Sequence, residues 1–167
     1  LIAQGFDNFE SNFILGLCYE DQPDNEKALK HYQKAVQFKS DNATCLFHLA
    51  LIEKAFNMDS LSMAHFNQSL EVSLPKGRAL RTYKWLADLH FQHHRYTDAA
   101  RDFELCTLYD EEDNPLNYYN AAQMLIASKN KLKAKLYLQM FLANANRLED
   151  KKEAAQLISK AKEQLKQ

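Results

Sequence analysis

The chain has 167 residues, with 21 basic and 22 acidic side chains and a formal net charge of -1. A near-neutral chain has no global positive field to gather nucleic acid, so composition argues against a nucleic-acid partner. No apolar stretch approaches the roughly 20 residues that a membrane-spanning helix needs, which argues against membrane insertion. Because the chain begins at Leu1 rather than Met, we expect it to be a fragment of a longer protein.

A spaced signature of a small residue, a large apolar residue and, in three of its four copies, a second small residue recurs along the chain. Successive copies lie 34, 37 and 35 residues apart. The pattern suits two helices that cross closely while a bulky side chain fills the gap, and the period indicates stacked helix-turn-helix units. Gly and Pro are scarce and strand signals are absent, which also favours helices. The copies are Ala28, Tyr32 and Ala35; Ser62, Phe66 and Ser69; Ala99, Phe103 and Cys106; and Ala134, Leu138 and Phe141.

Turn and cap residues bound the first two predicted hairpins. A first helix is predicted over roughly residues 8 to 20. Pro23 and Asp24 then break the chain and cap a second helix that runs to about Phe38. Residues 40–42 are predicted to end the first hairpin and to cap the first helix of the second. The second helix of that hairpin is predicted to begin at Asp59.

The last two hairpins are predicted in the same way. The three extra residues of the 37-residue interval are assigned to 74–77, as a longer loop or an extension of the helix before it. The second helix of the third hairpin starts at Thr97 or Asp98. Asn114 and Pro115 start the fourth hairpin, because Asn caps a helix and Pro is tolerated at its first position.

The end of the chain departs from this pattern. The second helix of the fourth hairpin is predicted to begin near Lys131, and the signature stops after Asn144. Residues 148–166 still have the apolar spacing of one amphipathic helix. Repeat stacks use such a terminal helix to cover their last hydrophobic edge.

These residues resemble the tetratricopeptide-repeat family, whose pattern sets an aromatic residue, Leu-Gly, Tyr, Ala, Phe, Ala and Pro at fixed offsets. The second repeat departs from it with Glu53 where Tyr is usual, the fourth departs further, and the terminal Pro is missing from its usual offset in all four. The residues that match in the first and third repeats are Leu15, Gly16, Tyr19, Ala28, Tyr32 and Ala35, and Tyr83, Leu86, Ala87, Ala99 and Phe103.

The resemblance covers nearly the whole chain and implies an all-α fold, a right-handed α-solenoid of helix-turn-helix repeats. It implies nine helices and no sheet, with the signature on the second helix of each hairpin. Tyr32, Phe66 and Phe103 are predicted to be almost fully buried. The expected divisions are four repeats at about 8–41, 42–76, 77–114 and 115–146, and a C-terminal capping helix at 147–167.

The three cysteines Cys18, Cys45 and Cys106 cannot form a closed set of disulfides, and their spacing fits no zinc motif. All three fall at positions expected to be packed, where free Cys behaves as a small apolar residue. This pattern favours a reducing, intracellular compartment.

Two polar clusters were considered as chemical sites. His90, His93 and His94 include an i, i+4 pair that can hold a metal, but His90 falls at an inward repeat position and no third ligand is evident. The acidic run at residues 110–113 lacks the ligand alternation and the Gly of a calcium loop, so we expect a solvated loop near a helix start. No phosphate loop, activated nucleophile or carboxylate pair is present. We therefore expect no catalytic activity, no cofactor and no metal.

The resemblance implies that the first helices of the repeats line a concave groove that binds a partner. Trp85 is the candidate of most interest, because Trp is enriched at binding hot spots. A register error of one residue would place a groove residue in the core instead, and this alternative is open for Trp85, Phe13 and Phe47. The predicted groove residues are Phe13, Leu17, Phe47, His48, Leu51, Arg81, Lys84, Trp85, Asp88, Tyr119, Asn120 and Gln123, with Ile14, Phe91 and Ile126 beside them.

One subtype of the family binds a C-terminal carboxylate through Lys, Asn and Arg side chains. Lys84 and Asn120 fit part of that arrangement, but Asp88 stands where Asn is needed and would repel the ligand. We therefore do not expect a carboxylate clamp.

The sequence favours a non-catalytic adaptor or scaffold domain that binds a protein or peptide segment in an aromatic-lined groove. One alternative is a structural assembly or self-association module, in which flanking segments or another copy of the chain fill the groove. A regulatory domain of a larger enzyme is the other.

Overall fold

The computed structural model describes residues 7–166 of the chain. Within that range the chain forms nine α-helices and one short 3-10 turn, and it contains no strand. The all-α architecture of helix-turn-helix repeats predicted for a solenoid protein is therefore confirmed. The α-helices are α1 Phe9–Asp21, α2 Asn25–Phe38, α3 Ala43–Ala55, α4 Asp59–Val72, α5 Lys76–Gln92, α6 Tyr96–Tyr109, α7 Pro115–Ala127, α8 Lys131–Asn144 and α9 Lys151–Gln164, and the 3-10 turn is Ala145–Arg147.

The helices pair as hairpins within two compact units that divide between Pro75 and Lys76. The first unit contains α1 with α2 and α3 with α4. The second contains α5 with α6, α7 with α8, and the terminal α9. No helix in residues 7–166 has the length and apolar character that crossing a bilayer demands.

Side-chain caps start several helices where the sequence placed them. Asp24 accepts a hydrogen bond from the backbone N–H of Lys27, and Asn42 does the same for Cys45. Asn114 caps α7, with Pro115 as its first residue. Each cap satisfies a backbone donor that the first turn of a helix leaves without a partner.

Three boundary details differ from the sequence prediction. The extra residues near 74–77 lengthen α5, which has 17 residues where α1, α3 and α7 have 13, so they do not extend the preceding helix. The α6 helix begins at Tyr96, one residue before Thr97, the earlier of the two predicted starts. The terminal helix begins at Lys151, because Asp150 is extended and caps it through the N–H groups of Lys152 and Glu153.

The repeated signature forms the buried seam of each hairpin. Tyr32 and Phe66 are fully buried, as predicted. Phe103 is only half-buried, so the prediction for this residue was wrong. In the third hairpin the two small signature residues, Ala99 and Cys106, are fully buried, but the large one between them is not.

The terminal helix covers the fourth hairpin, as predicted. Ala161 on α9 is buried in one apolar cluster with Tyr119 of α7 and Phe141 of α8. Leu157, Ile158 and Leu165 pack against that cluster from the same helix. Its polar residues face solvent, which is how a repeat array ends without an exposed apolar edge.

A second pattern crosses every hairpin at a spacing of 12 residues. It joins one residue near the end of the first helix to one on the second helix. In the first hairpin the rings of Tyr19 and His31 stack with centroids 5.5 Å apart. In the fourth, Leu125 and Tyr137 pack together.

In the two middle hairpins the same positions carry an imidazole and a carboxylate. Glu53 contacts His65 at 2.7 Å, and His90 contacts Asp102 at 2.6 Å. The departure of Glu53 from the family pattern is thereby explained, because its buried carboxylate has a hydrogen-bonding partner across the hairpin. The constant spacing of 12 residues is visible in the sequence, but the contacts between these residues were not predicted from it.

Candidate functional site

In the first unit, several predicted groove residues of α1 and α3 lie near one another and are partly accessible. Phe13 lies 6.3 Å from the His48 ring, measured between centroids, and stacks on Phe9 at 5.6 Å. Leu17 packs on the core beneath and is half-buried, as is Leu51 of α3. Ile14 is exposed beside them. Phe13 and Leu17 are thus held against the core, and apolar area beside them stays accessible.

A polar group sits among these apolar side chains. Glu20 accepts a hydrogen bond from the hydroxyl of Tyr32 at 2.6 Å and contacts Nδ1 of His48 at 2.9 Å. Burial, reinforced by the bond to Glu20, raises the pKa of Tyr32 far above its usual range, so this phenol stays protonated and donates. Glu20 therefore holds His48 in place, a role that the sequence did not predict.

Two predicted groove residues are in the core instead. Phe47 is 2% exposed, with its ring centroid 6.1 Å from that of Phe66 inside the second hairpin. Tyr119 is 6% exposed and lies 5.0 Å from Phe141 inside the fourth. The expectation that both would be solvent-exposed was wrong, because each points toward the second helix of its own hairpin.

In the second unit, α5 carries the charged and aromatic part of the predicted surface. Arg81 and Asp88 are exposed, and Lys84 and Trp85 are half-buried. Residues 81, 85 and 88 share one face of a helix because they lie at i, i+4 and i+7. Trp85 thus lies on the same helix face as a cationic and an anionic side chain, and it is neither fully buried nor fully exposed.

On α7 the predicted surface meets the terminal helix. Asn120 is half-buried, and the amide of Gln123 forms a reciprocal pair with the amide of Gln164, with both N–O distances 3.0 Å. This bond and the burial of Tyr119 show that α9 covers part of α7. The sequence identified the capping helix but not the face that it covers.

The three histidines of the predicted cluster lie in different environments. His90 and Asp102 are almost fully buried against each other, whereas His93 and His94 are exposed in the turn. Burial raises the pKa of Asp102, although the hydrogen bond from His90 opposes that rise. Within residues 7–166, no group of three or more His, Cys, Asp or Glu side chains is arranged to hold a metal ion.

The acidic run before α7 makes specific bonds rather than only keeping its loop solvated. Asp110 accepts from the side-chain amide of Asn117 at 2.6 Å, and Asp113 pairs with Arg147 at 2.8 Å. Asp113 also accepts from Tyr118, and this bond raises the pKa of the Tyr118 hydroxyl to about 12. The run therefore ties the start of α7 to the turn after α8.

The cysteines differ from one another. Cys45 and Cys106 are buried, and burial raises the pKa of each thiol to about 12. Cys18 is exposed, so the expectation that all three would be packed was wrong for this residue.

No family model matches the sequence, and no curated protein matches it by sequence. Solved structures do match the fold. YrrB, described as a TPR protein with an unusual peptide-binding site, aligns with a TM-score of 0.70 and 12% identity over 98% of this chain and 89% of its own. MamA from Desulfovibrio magneticus aligns with a TM-score of 0.65 and 13% identity over 96% of each chain. PilF of Pseudomonas aeruginosa aligns with a TM-score of 0.66 and 15% identity over 95% of this chain and 72% of its own.

These likenesses agree with the hairpins, the buried signature and the capping helix. The chain has the tetratricopeptide-repeat fold. At 12–15% identity the likeness extends to the fold and not to any one neighbour's site.

Proposed function

We propose that this chain is a non-catalytic interaction module that holds a segment of a partner protein against the first helices of hairpins within a unit. The observation that carries the proposal is the partial exposure of Trp85 on α5, which shares one helix face with the exposed Arg81 and Asp88. Trp and Arg are enriched among the residues that dominate binding energy. The peptide-binding site ascribed to the fold neighbour YrrB is consistent with this use of the fold.

The first unit supports the same use. Ile14, Leu17 and Leu51 offer apolar area on α1 and α3, while Glu20 and the aromatic contacts hold His48 beside them. A partner segment would meet side chains already in place, so little ordering entropy is lost on binding. Phe47 of the first unit and Tyr119 of the second are buried inside their own hairpins and offer no accessible area.

A binding role suits the chemistry of the buried groups better than catalysis. The imidazole–carboxylate pair of His90 with Asp102 has both members almost fully buried, so it is closed to substrate. The two thiols with raised pKa values are buried and protonated at neutral pH. Each of these groups has a packing role within its hairpin.

The test is a pull-down with the wild-type chain, followed by calorimetric titration of the captured partner. Trp85→Ala should weaken binding by roughly 2 kcal/mol or more, the behaviour of a hot spot. Leu108→Ala is the matched control, because Leu108 is exposed on the second helix α6 of the same unit. Binding should change only modestly with salt, since Arg81 and Lys84 are balanced in part by Asp88.

Equal losses for both variants, or none for Trp85→Ala, would contradict the proposal. Light scattering of the isolated chain distinguishes the proposal from the alternative of a self-association module. A stable dimer that Trp85→Ala dissociates would mean that another copy, rather than a partner, occupies this surface.

A further inference from the structure

The second helix of the fourth hairpin has a row of accessible apolar side chains. Leu132, Leu136 and Met140 lie at i, i+4 and i+8 on α8, and their exposed fractions are 85%, 53% and 37%. Residues at this spacing share one helix face. We call these three residues the α8 outer face. It is separate from the buried face of α8, which carries Ala134, Leu138 and Phe141.

The fold does not require apolar residues at these positions. Counted from the first small residue of each signature, the same positions in the first repeat are Glu26, Lys30 and Lys34. In the second repeat they are Ser60, Ala64 and Gln68. Exposed apolar residues that cluster on one face are a common sign of an interaction site.

Two cavities flank Leu132. One, of about 430 Å³, is lined mostly by apolar side chains from α7, α8 and the end of α9, including Ile126, Leu138 and Leu165. The other, of about 560 Å³, runs along α8 past Leu136. The first has room for a bulky apolar side chain, and the second is a shallow depression beside it. Such relief suits a protein segment better than the flat surface of a lipid bilayer.

The charge around the cavities has one sign. Lys131 and Lys135 line the first cavity, Lys133 and Lys135 line the second, and no acidic side chain lines either within the described residues. Lys131 and Lys135 are exposed, and neither forms an ion pair with another residue in the range 7–166. Lys133, by contrast, is paired with Glu104 at 2.7 Å. An incoming segment with acidic side chains beside its apolar ones would complement this rim.

We propose that the α8 outer face is a second docking surface, which binds an acidic amphipathic segment of another protein. Leu- or Phe-like side chains of that segment would enter the two cavities, and its Asp or Glu side chains would face Lys131 and Lys135. Its three defining residues lie on α8, and the surface shares no residue with those on α1, α3 and α5 that carry the proposed function.

The experiment is a selection of random 16-residue peptides displayed on phage, with the wild-type chain as bait. Counter-selection uses the double variant Leu132→Ser, Leu136→Ser, in which both substituted side chains are exposed. Peptides that combine Asp or Glu with large apolar residues at i and i+3 or i+4 should be enriched. Enrichment of basic peptides, or of peptides that bind both baits equally, would overturn the proposal.

One enriched peptide, labelled with fluorescein, then serves as the probe for fluorescence anisotropy. The double Ser variant should weaken its binding by roughly tenfold or more, and Lys131→Glu with Lys135→Glu should do the same and reduce the salt dependence. Leu108→Ser is the control, because Leu108 is 76% exposed elsewhere in the same unit, and it should leave the affinity unchanged. Trp85→Ala should also leave it unchanged, which separates this surface from the proposed function.

Two further outcomes would assign the face to another occupant and overturn the proposal. One is a concentration-dependent dimer in sedimentation that the double Ser variant abolishes, which would mean that a second copy of the chain binds there. The other is binding to vesicles of phosphatidylserine and phosphatidylcholine that the same variant abolishes, which would indicate a membrane surface.

Discussion

The aromatic ring of Tyr32 occupies the space that a Cβ atom on Gly16 would need. Such an atom would lie 2.5 Å from Cε1 and 2.6 Å from Cδ1 of that ring. The ring has little freedom to move, because it is fully buried and its hydroxyl is bonded to Glu20 at 2.6 Å. The small residue of the repeat pattern is therefore required here by close helix crossing.

Gly16→Ala should destabilise the chain. Overpacking of a filled core costs about 1–3 kcal/mol, and the better helix propensity of Ala recovers at most about 1 kcal/mol of it. Urea unfolding followed by circular dichroism measures the difference. Gly77→Ala is the control, since nothing lies within 4 Å of a Cβ at that position, and it should be neutral or stabilising. A Gly16 variant as stable as the wild type would mean that the ring can shift.

Truncation of the central signature residue should have unequal effects in different hairpins. Phe66→Ala should cost about 3–5 kcal/mol of unfolding free energy, the usual range for a core Phe. Phe103→Ala should cost distinctly less, because Phe103 is only half-buried. The sequence alone predicted the full loss at Phe103 as well. Equal losses in chemical denaturation would show that Phe103 is packed as tightly as Phe66.

The three thiols should differ in reactivity at pH 8. A pKa raised to about 12 means that roughly one molecule in 10⁴ carries the thiolate at that pH, and the thiolate is the nucleophile. With Ellman's reagent, Cys18 should react quickly in the folded chain, while Cys45 and Cys106 react only as it unfolds. In 8 M urea all three should react at similar rates. Fast labelling of two or more thiols without urea would contradict the burial of Cys45 and Cys106.

A charge introduced on the terminal helix should lower the stability of the fold on only one face of that helix. Ala161→Asp places a carboxylate in the cluster with Tyr119 and Phe141 and should lower stability by about 3 kcal/mol or more. Ala155→Asp, at an exposed position of the same helix, should change stability by about 0.5 kcal/mol or less. Thermal unfolding compares the two variants. Similar melting temperatures would mean that α9 does not cover the fourth hairpin.

Local chemistry let the sequence predict most of the fold. The caps at Asp24, Asn42 and Asn114 act within three residues of themselves, so their effect does not depend on the rest of the chain. The period of the signature identified the hairpins for the same reason, because each copy packs against the helix beside it in sequence. Helix existence and pairing were therefore predictable.

The site was less predictable, because the face on which a side chain lies depends on small helix rotations. Phe47 and His48 are adjacent in sequence, yet Phe47 points into its hairpin while His48 is half-exposed beside Phe13. One residue corresponds to a turn of about 100° around a helix, so a register error of that size exchanges core for surface.

The repeat and its caps could be predicted from the sequence alone, because they depend on neighbours about a dozen residues away or fewer. Which side chains are buried and which stay accessible follows only from the three-dimensional packing. The Gln123–Gln164 amide pair joins residues 41 positions apart, and Tyr119 shares a buried cluster with Ala161 of α9. Such contacts follow from how helices pack on one another, and that packing balances many side chains at once.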